Sequence, residues 1–169
     1  MEKRYAVAVL VRNQFGVLNR VTSMFRRRQF NIDNLTVSET ESPDYSRITV
    51  QFAGERVTKQ QLVDQLYKLP DVCSIRELDN ENSVSFELLL IKLKNDPASR
   101  GDIRAAADAF EAKTVDYTRE SIVLRVTADS RRIDDFIDLM RDYEILEICR
   151  TGVVSLERGA DTIRKVTNL

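Results

Sequence analysis

The feature that most limits the fold of this chain is a buried strand followed by a glycine turn and an amphipathic helix. Residues 5–11 are a run of aliphatic and aromatic side chains typical of a buried strand. After Gly16, apolar residues recur with a helical period at Val17, Leu18, Val21, Met24 and Phe25. A glycine here lets the backbone approach another molecule, and the free N–H groups of the helix's first turn attract negative charge. This segment predicts a site for an anion such as a small-molecule carboxylate.

The same order of predicted elements occurs in both halves of the chain. The first half is expected to have strands at residues 5–11, 32–39, 47–52 and 72–78, and helices at 16–28 and 59–69. The second is expected to have strands at 84–94, 115–117, 122–126 and 145–156, and helices whose apolar stripes include Ile103 and Ile133. The halves share no evident residue identity. Because β-α-β-β-α-β is the order of the ferredoxin-like unit, the prediction is an α+β fold with two ferredoxin-like domains.

Polar segments set the expected domain boundaries. Residues 79–82 are short, polar and charged, and we interpret them as a linker. The first domain is expected at residues 1–79 and the second at residues 83–158, followed by a polar, frayed tail at 159–169. The apolar strand at residues 5–11 needs cover on both faces, so we also expect self-association.

The composition argues against catalysis by this chain. There is no histidine, which removes the commonest general base and the commonest metal ligand. Cys73 and Cys149 lie far apart in apolar, strand-like segments, and we expect both to be buried and reduced. A structural zinc site needs about four Cys or His ligands. The sequence therefore offers no obvious catalytic site and predicts no metal site of that kind.

The charge and the hydropathy pattern limit the partners and the location. A net charge of −1 gives no electrostatic basis for binding nucleic acid or a membrane surface in bulk. No apolar run approaches the ~20 residues that would span a bilayer. The N-terminus lacks the long apolar region of a signal peptide. We therefore expect a cytoplasmic protein with neither a nucleic-acid nor a membrane partner.

Two segments closely resemble the regulatory (small) subunit of acetolactate synthase, also called acetohydroxyacid synthase. The first is residues 13–37, with its Asn-Gln-Phe-Gly-Val-Leu turn and its Phe-Asn-Ile segment. The second is residues 150–159, with the sequence Arg-Thr-Gly-Val-Val-Ser-Leu-Glu-Arg-Gly. The first half also resembles an ACT domain, a small ferredoxin-like module that binds amino acids. Domain order and total length agree with the family, so the resemblance covers nearly the whole chain.

The resemblance implies a regulatory subunit with no catalytic site and no cofactor of its own. Its partner would be the large catalytic subunit, which carries thiamine diphosphate, magnesium and FAD. The small subunit would raise the activity of that partner and confer feedback inhibition by valine in branched-chain amino acid biosynthesis, which also yields isoleucine. In the family, the ACT domains of a homodimer pair side by side into one sheet, with the effector at their interface.

Carried over onto this sequence, the resemblance places six residues around the effector: Asn13, Gly16, Val17 and Leu18 from one chain, and Asn31 and Ile32 from its neighbour. Independently, turn N–H groups can meet a carboxylate, and asparagine oxygens can accept from an ammonium group. Leu18 and Ile32 can line a pocket for an aliphatic side chain. The effector is expected to be a branched-chain amino acid, with valine, leucine and isoleucine all open.

Two residues depart from the family pattern near this site. Phe15 stands where proline is usual, which would leave the turn less rigid. Gln29 stands where glycine is usual. If Gln29 closes the helix in a left-handed conformation, it costs ~1 kcal/mol more than glycine. Both changes concern the strength of effector binding rather than its location.

Other interpretations compete with the effector site and with the regulatory role. Asn13 and Gly16 could form only a capped turn, and Asn31 could only satisfy a backbone group at a strand end. The protein could also be another amino-acid-sensing ACT regulator, a stand-alone enzyme or, because residues 26–28 are all arginine, a nucleic-acid-binding ferredoxin-like protein. RNA-recognition modules place aromatic residues on an exposed sheet face, whereas the strands here offer Val, Ile and Thr. We therefore prefer the regulatory subunit.

Overall fold

A computed structural model of the chain describes residues 3–54, 56–79 and 81–166. The chain divides into two compact units. The first contains the residues up to Ser85 and again those from Val153 onward, and the second is Phe86–Gly152. The predicted second domain was residues 83–158, followed by a tail at 159–169. In the structure, the described residues from Val153 onward group with the first unit instead.

The first half has the predicted β-α-β-β-α-β order. Its elements are β1 (Lys3–Arg12), α1 (Val17–Arg27), β2 (Asn34–Glu39), β3 (Tyr45–Gly54), α2 (Arg56–Leu66) and β4 (Val72–Leu78). The strands form one antiparallel sheet in the order β2-β3-β1-β4. Two central strands and two flanking ones are the arrangement of a ferredoxin-like unit, so this part of the fold prediction is confirmed.

Strand β1 is buried on both faces, as its continuous apolar sequence predicts. Val7 and Val9 pack into the core formed with α1 and α2. Ala8 and Leu10 point to the opposite face, where they pack against Ile163 of a short 3-10 helix (Ile163–Val166). Ile163 is only 8% exposed. The described part of the expected frayed tail is therefore ordered, because it supplies the second cover that β1 needs.

The second half follows the same plan. Its elements are β5 (Ser83–Lys94), α3 (Arg100–Ala109), β6 (Lys113–Tyr117), β7 (Ser121–Ala128), α4 (Ser130–Met140), β8 (Ile145–Arg150) and β9 (Val154–Glu157). The sheet order is β6-β7-β5-β8, and β9 also pairs with β5. Asp129 caps α4, accepting the Arg132 N–H at 2.9 Å. The prediction of two ferredoxin-like domains in an α+β fold is confirmed.

The final strand predicted at residues 145–156 is two strands in the structure, because the chain leaves β8 after Arg150. The Arg150 guanidinium bonds the buried carboxylate of Glu87 and, at 2.6 Å, Asp134. Burial lowers the pKa of Arg150, but these hydrogen bonds and charges raise it more, so its pKa lies above the usual value. Thr151 then uses its Oγ1, rather than a backbone carbonyl, to accept the Leu88 N–H at 3.0 Å.

Both cysteines are free thiols in the structure. Cys73 is half-buried, and Cys149 is exposed, so the prediction of burial is wrong for Cys149. The reason is the register of β8. Cys149 pairs with Leu90, which lies between the core residues Leu89 and Ile91, so Cys149 faces away from that core.

Candidate functional site

The turn that joins β1 to α1 is closed by a backbone hydrogen bond. The Val17 N–H donates to the Gln14 carbonyl oxygen at 3.3 Å. Gly16 has φ 81° and ψ −2°, the geometry of the third residue of a type II turn, which favours glycine. A Cβ at Gly16 would also lie 3.3 Å from a guanidinium nitrogen of Arg20. The backbone angle therefore favours glycine, and a larger residue here would also need a small shift of the Arg20 side chain.

Phe15 takes the position before the glycine and is fully exposed. Its ring does not cover the turn within this chain. The turn also closes without the proline that is usual in the family, because the positive φ of Gly16 and the hydrogen bond from Val17 suffice. The backbone groups beside Phe15 remain accessible to a ligand.

Asn13 is held against the loop between β2 and β3. Its N–H group donates to the Asp44 carbonyl at 2.7 Å, and its Nδ2 donates to the Pro43 carbonyl at 2.9 Å and to Glu39 Oε1 at 3.3 Å. The backbone N–H and the Nδ2 of Asn13 are thus bonded as the capped-turn interpretation expects. Its Oδ1 receives no hydrogen bond from the described residues. That oxygen is free to accept from a ligand.

The first turn of α1 has two unoccupied donors among the three predicted ones. The N–H groups of Gly16 and Leu18 have no acceptor within residues 3–54, 56–79 and 81–166. The third, on Val17, is engaged by Gln14, and the Val17 side chain is buried in the core. Leu18 is 41% exposed, so its side chain can contribute an apolar wall. The site in one chain is thus an open helix N-terminus beside an apolar side chain.

Asn31 and Ile32 lie beyond the other end of α1. The helix has 11 residues, which corresponds to about 16 Å. Asn31 is exposed and Ile32 is half-buried against the first core. The structure therefore does not bring these two residues to Gly16 within one chain. Their predicted place at the site requires a neighbouring copy.

Gln29 ends α1 in the left-handed conformation, with φ 57°. The Gln29 N–H donates to Arg26 O and the Phe30 N–H to Phe25 O, both at 3.1 Å. This pair of bonds is a Schellman motif, and the edge-to-face contact of Phe25 with Phe30, 6.3 Å between ring centroids, accompanies it. The motif fixes the chain direction into residues 31 and 32.

Sequence reasoning missed one ion pair beside the turn. Arg20 Nε lies 2.7 Å from Asp71 Oδ2, and the Asp71 carbonyl accepts the Arg12 N–H at 2.9 Å. The pair ties the first turn of α1 to the end of β1. Its signal in the sequence was only an arginine one turn into a helix, and its partner lies far along the chain. The pair also places a positive charge near Gly16.

The face of the first sheet opposite the helices is not an RNA-recognition surface. Ala8 and Leu10 on that face are buried under Ile163. RNA-recognition modules instead leave this face open, with aromatic residues for base stacking. The structure therefore gives no support to the nucleic-acid alternative.

In the part of the chain that the structure describes, no three Cys, Asp or Glu side chains gather closely enough to hold a metal ion. None of its described helices has the length and apolar character needed to cross a bilayer.

Comparison with known proteins gives the family. The model of the AHAS small subunit-like ACT domain matches residues 7–74, and that of the small subunit of acetolactate synthase matches residues 86–159. A probable acetolactate synthase small subunit of Archaeoglobus fulgidus is 44% identical over 156 residues, covering 92% of this chain and 98% of the relative. The acetolactate synthase small subunit of Bacillus subtilis is 41% identical over 155 residues, covering 90% of each. The crystal structure of that subunit from Thermotoga maritima superposes with a TM-score of 0.86 at 34% identity, covering 94% of this chain and 99% of the other. This chain therefore belongs to the family of regulatory small subunits of acetolactate synthase, with an ACT domain in its first half.

Proposed function

We propose that this protein is a non-catalytic subunit that binds the catalytic subunit of acetolactate synthase and senses a branched-chain amino acid, with valine as the first candidate. It raises the activity of the catalytic subunit and makes it subject to feedback inhibition. The observation that carries the proposal is the turn at Gly16. There, two free N–H groups, a free asparagine oxygen and a guanidinium group lie beside an exposed leucine.

A zwitterionic amino acid matches these groups. Its carboxylate meets the N–H groups of Gly16 and Leu18, with the positive charge of Arg20 nearby. Such a contact at a helix N-terminus contributes about 0.3–1 kcal/mol when exposed and up to about 2 when partly buried. Its ammonium group donates to Asn13 Oδ1. In this proposal the buried Val17 holds the turn rather than touching the ligand.

The proposed homodimer completes the site. β2 is at the end of its sheet, and Val37 on this strand is 42% exposed on the helix side of the sheet. A second copy pairing along β2 would extend the sheet and cover Val37. It would also bring Asn31 and Ile32 of the neighbouring copy to the effector. Asn31 adds an acceptor for the ammonium group, and Ile32 adds an apolar wall.

Regulation requires a difference in affinity between two states of the complex. The effector must bind one arrangement of the two subunits more tightly, typically by about 1–3 kcal/mol. In this proposal the catalytic subunit carries the thiamine diphosphate, magnesium and FAD. This chain supplies the effector site and the surface that binds that subunit.

The test is calorimetric titration of the full chain with valine, leucine and isoleucine. We expect saturable binding, and we expect Asn13→Ala to weaken it without unfolding the protein. Asn19→Ala changes a different exposed asparagine, one that lies on α1. It serves as the matched control and should bind the ligand normally. Absence of heat and of any Tm shift, with the dimer intact, would defeat the proposal. Co-purification with a thiamine-dependent large subunit tests the partner separately.

A further inference from the structure

A cavity of about 510 Å³ lies within the first unit, away from the turn at Gly16. It is on the face of the first sheet opposite α1 and α2. Leu10 and Ile163 form part of its apolar floor, and Leu156 forms an apolar wall. Ligand sites commonly have volumes of about 300–1,000 Å³, so the space can hold a small metabolite. None of the six predicted effector residues lines it.

Arg47 is the principal cation of the cavity. It lies on β3, in register with Leu10 and Ser38 on the two neighbouring strands. A guanidinium nitrogen donates to the Ser155 carbonyl at 2.8 Å. Burial lowers the pKa of Arg47, and the charge of Glu157 opposes that effect. No carboxylate of the described residues forms an ion pair with Arg47 within 4.0 Å. The half-buried cation therefore has unused capacity for a negatively charged ligand group.

The carboxylates around the cavity differ in what they already bind. Glu41 lies 3.0 Å from Arg164, and Glu157 lies 3.5 Å from Arg76. Among the described residues, the Glu39 carboxylate accepts a hydrogen bond from Asn13 alone. Asp161 is exposed and makes no hydrogen bond or ion pair with any described residue. Glu39 and Asp161 are thus the carboxylates with capacity for a positively charged ligand group.

The balance of charge selects the class of ligand. Four carboxylates and two guanidinium groups line the cavity: Glu39, Glu41, Glu157 and Asp161, with Arg47 and Arg164. The net negative charge disfavours a phosphate or a dicarboxylate. A simple amine would leave Arg47 without an anion. A zwitterion satisfies both requirements, and the apolar floor suits an apolar side chain.

We propose that this cavity is a second amino-acid site, which binds a free α-amino acid with an apolar side chain. Its carboxylate binds Arg47, its ammonium group lies toward Glu39 and Asp161, and its side chain packs over Leu10 and Ile163. Glu39 touches both sites, because it also accepts from Asn13. Occupation of the cavity therefore acts on the residue that holds the turn of the first site.

The experiment is equilibrium dialysis of the full chain against radiolabelled leucine and valine. We expect a binding event additional to the one assigned to Gly16. Arg47→Gln should weaken this event by at least about tenfold, as expected for a lost hydrogen bond to a charged group. Asp161→Asn should weaken it severalfold without changing Tm. Asn13→Ala should leave it in place. Glu81→Gln, which alters an exposed glutamate of the same unit outside the cavity, is the matched control.

Asp161→Asn decides the outcome if Arg47→Gln disturbs folding through its contact with Ser155, because Asp161 has no hydrogen bond or ion pair with a described residue to lose. A wild-type chain that shows only the event removed by Asn13→Ala would overturn the second site. Unchanged binding in Asp161→Asn would do the same. If Asn13→Ala loses nothing while Asp161→Asn weakens an event, the second site stands and the effector site at Gly16 fails.

Discussion

The turn from β1 to α1 and the turn from β5 to α3 each have an asparagine bonded to a hairpin loop. They differ in whether the oxygen of that asparagine is already bonded within the chain. In each, an asparagine follows the strand and donates its N–H to a carbonyl of the next hairpin loop. The bond joins Asn13 to Asp44 at 2.7 Å in the first turn and Asn95 to Glu120 at 2.9 Å in the second. The carboxamide nitrogen of each asparagine donates to the same loop. The two halves thus share a residue as well as a pattern.

After the asparagine, the second turn bonds three of its polar groups internally. Asp96 accepts the Ala98 N–H through Oδ1 at 2.9 Å and the Arg100 N–H through its carbonyl at 3.0 Å. Arg100 Nε in turn donates to Asn95 Oδ1 at 2.8 Å. Asn95 is 4% exposed. The carboxamide oxygen is occupied and the residue is buried, so Asn95 is a packing element.

At the first turn the oxygen of the corresponding asparagine is open. Gly16 stands at the N-cap position of α1, and the arginine of α1 bonds Asp71 rather than the asparagine. The Asn13 oxygen and the N–H groups of Gly16 and Leu18 therefore have no hydrogen-bond partner among the described residues. The ferredoxin-like fold supplies the strand–turn–helix connection in both halves. Whether that connection can bind a ligand depends on the few residues between the strand and the helix.

The largest expected effect tests whether the two asparagines differ in structural importance. Asn95→Ala removes a buried amide bonded to Thr118 and Arg100, and we expect it to lower the free energy of unfolding by about 2–3 kcal/mol. Asn13→Ala removes an exposed amide and should cost less than about 1 kcal/mol. Hydrogen exchange in β5 and β7, compared with β1 and β3, locates each loss. Equal losses would mean that the first turn is as closed as the second.

The strands and helices could be predicted from the sequence, but the contacts between distant parts of the chain could not. The apolar run at residues 5–11 indicated a strand that needs cover on both faces, and helical periodicity placed α1 correctly. Which residue covers the second face depended on a contact between distant parts of the chain, from Ile163 to Ala8. Local pattern alone contains no information about that contact.

The candidate site likewise combines features that the local sequence predicts with contacts that it does not. Gly16 and the donors beside it followed from local chemistry. The resemblance, with glycine usual at the position of Gln29, pointed to the left-handed conformation found there. Arg20 and Asp71 meet only because the loop before β4 lies beside the first turn of α1, which local periodicity cannot indicate. Asn95 was missed because its role is defined by a hairpin loop that pairs with it only after folding.

The next effect contrasts two glycines near the starts of the two helices. Gly16→Ala places a Cβ at φ 81°, 3.3 Å from Arg20, and should cost about 1–2 kcal/mol. It should also weaken valine binding. Gly101→Ala is the matched control, because its Cβ would meet nothing within 4 Å inside α3. It should stabilise the helix by about 0.5–1 kcal/mol. Thermal unfolding of both variants checks the signs, and a stabilised Gly16→Ala would refute the strained-turn geometry.

A smaller effect concerns the helix ends, where the two halves should behave alike. Gln29 and Glu111 follow α1 and α3 with φ 57° and 55°. Because glycine is favoured in this conformation, Gln29→Gly and Glu111→Gly should each stabilise the protein by about 0.5–1 kcal/mol. Tm measurements on the two variants and on their combination check this, and the gains should add. A gain in only one half would show that the shared motif is held by different contacts.

The smallest effect lies at the boundary between the halves, where Asp79 organises a loop. Its pKa is lowered mainly by the Asn82 N–H, at 2.6 Å, and also by the Asn82 carboxamide and the Glu81 N–H, against a smaller opposing effect of burial. Because the folded-state pKa is below the unfolded value of about 3.9, the charge stabilises the fold above that pH. The contribution is lost as pH falls through the folded-state pKa. The Tm difference between wild type and Asp79→Asn should therefore be present at neutral pH and vanish in acid. A gap that is independent of pH would mean that the side-chain oxygen, not its charge, organises the loop.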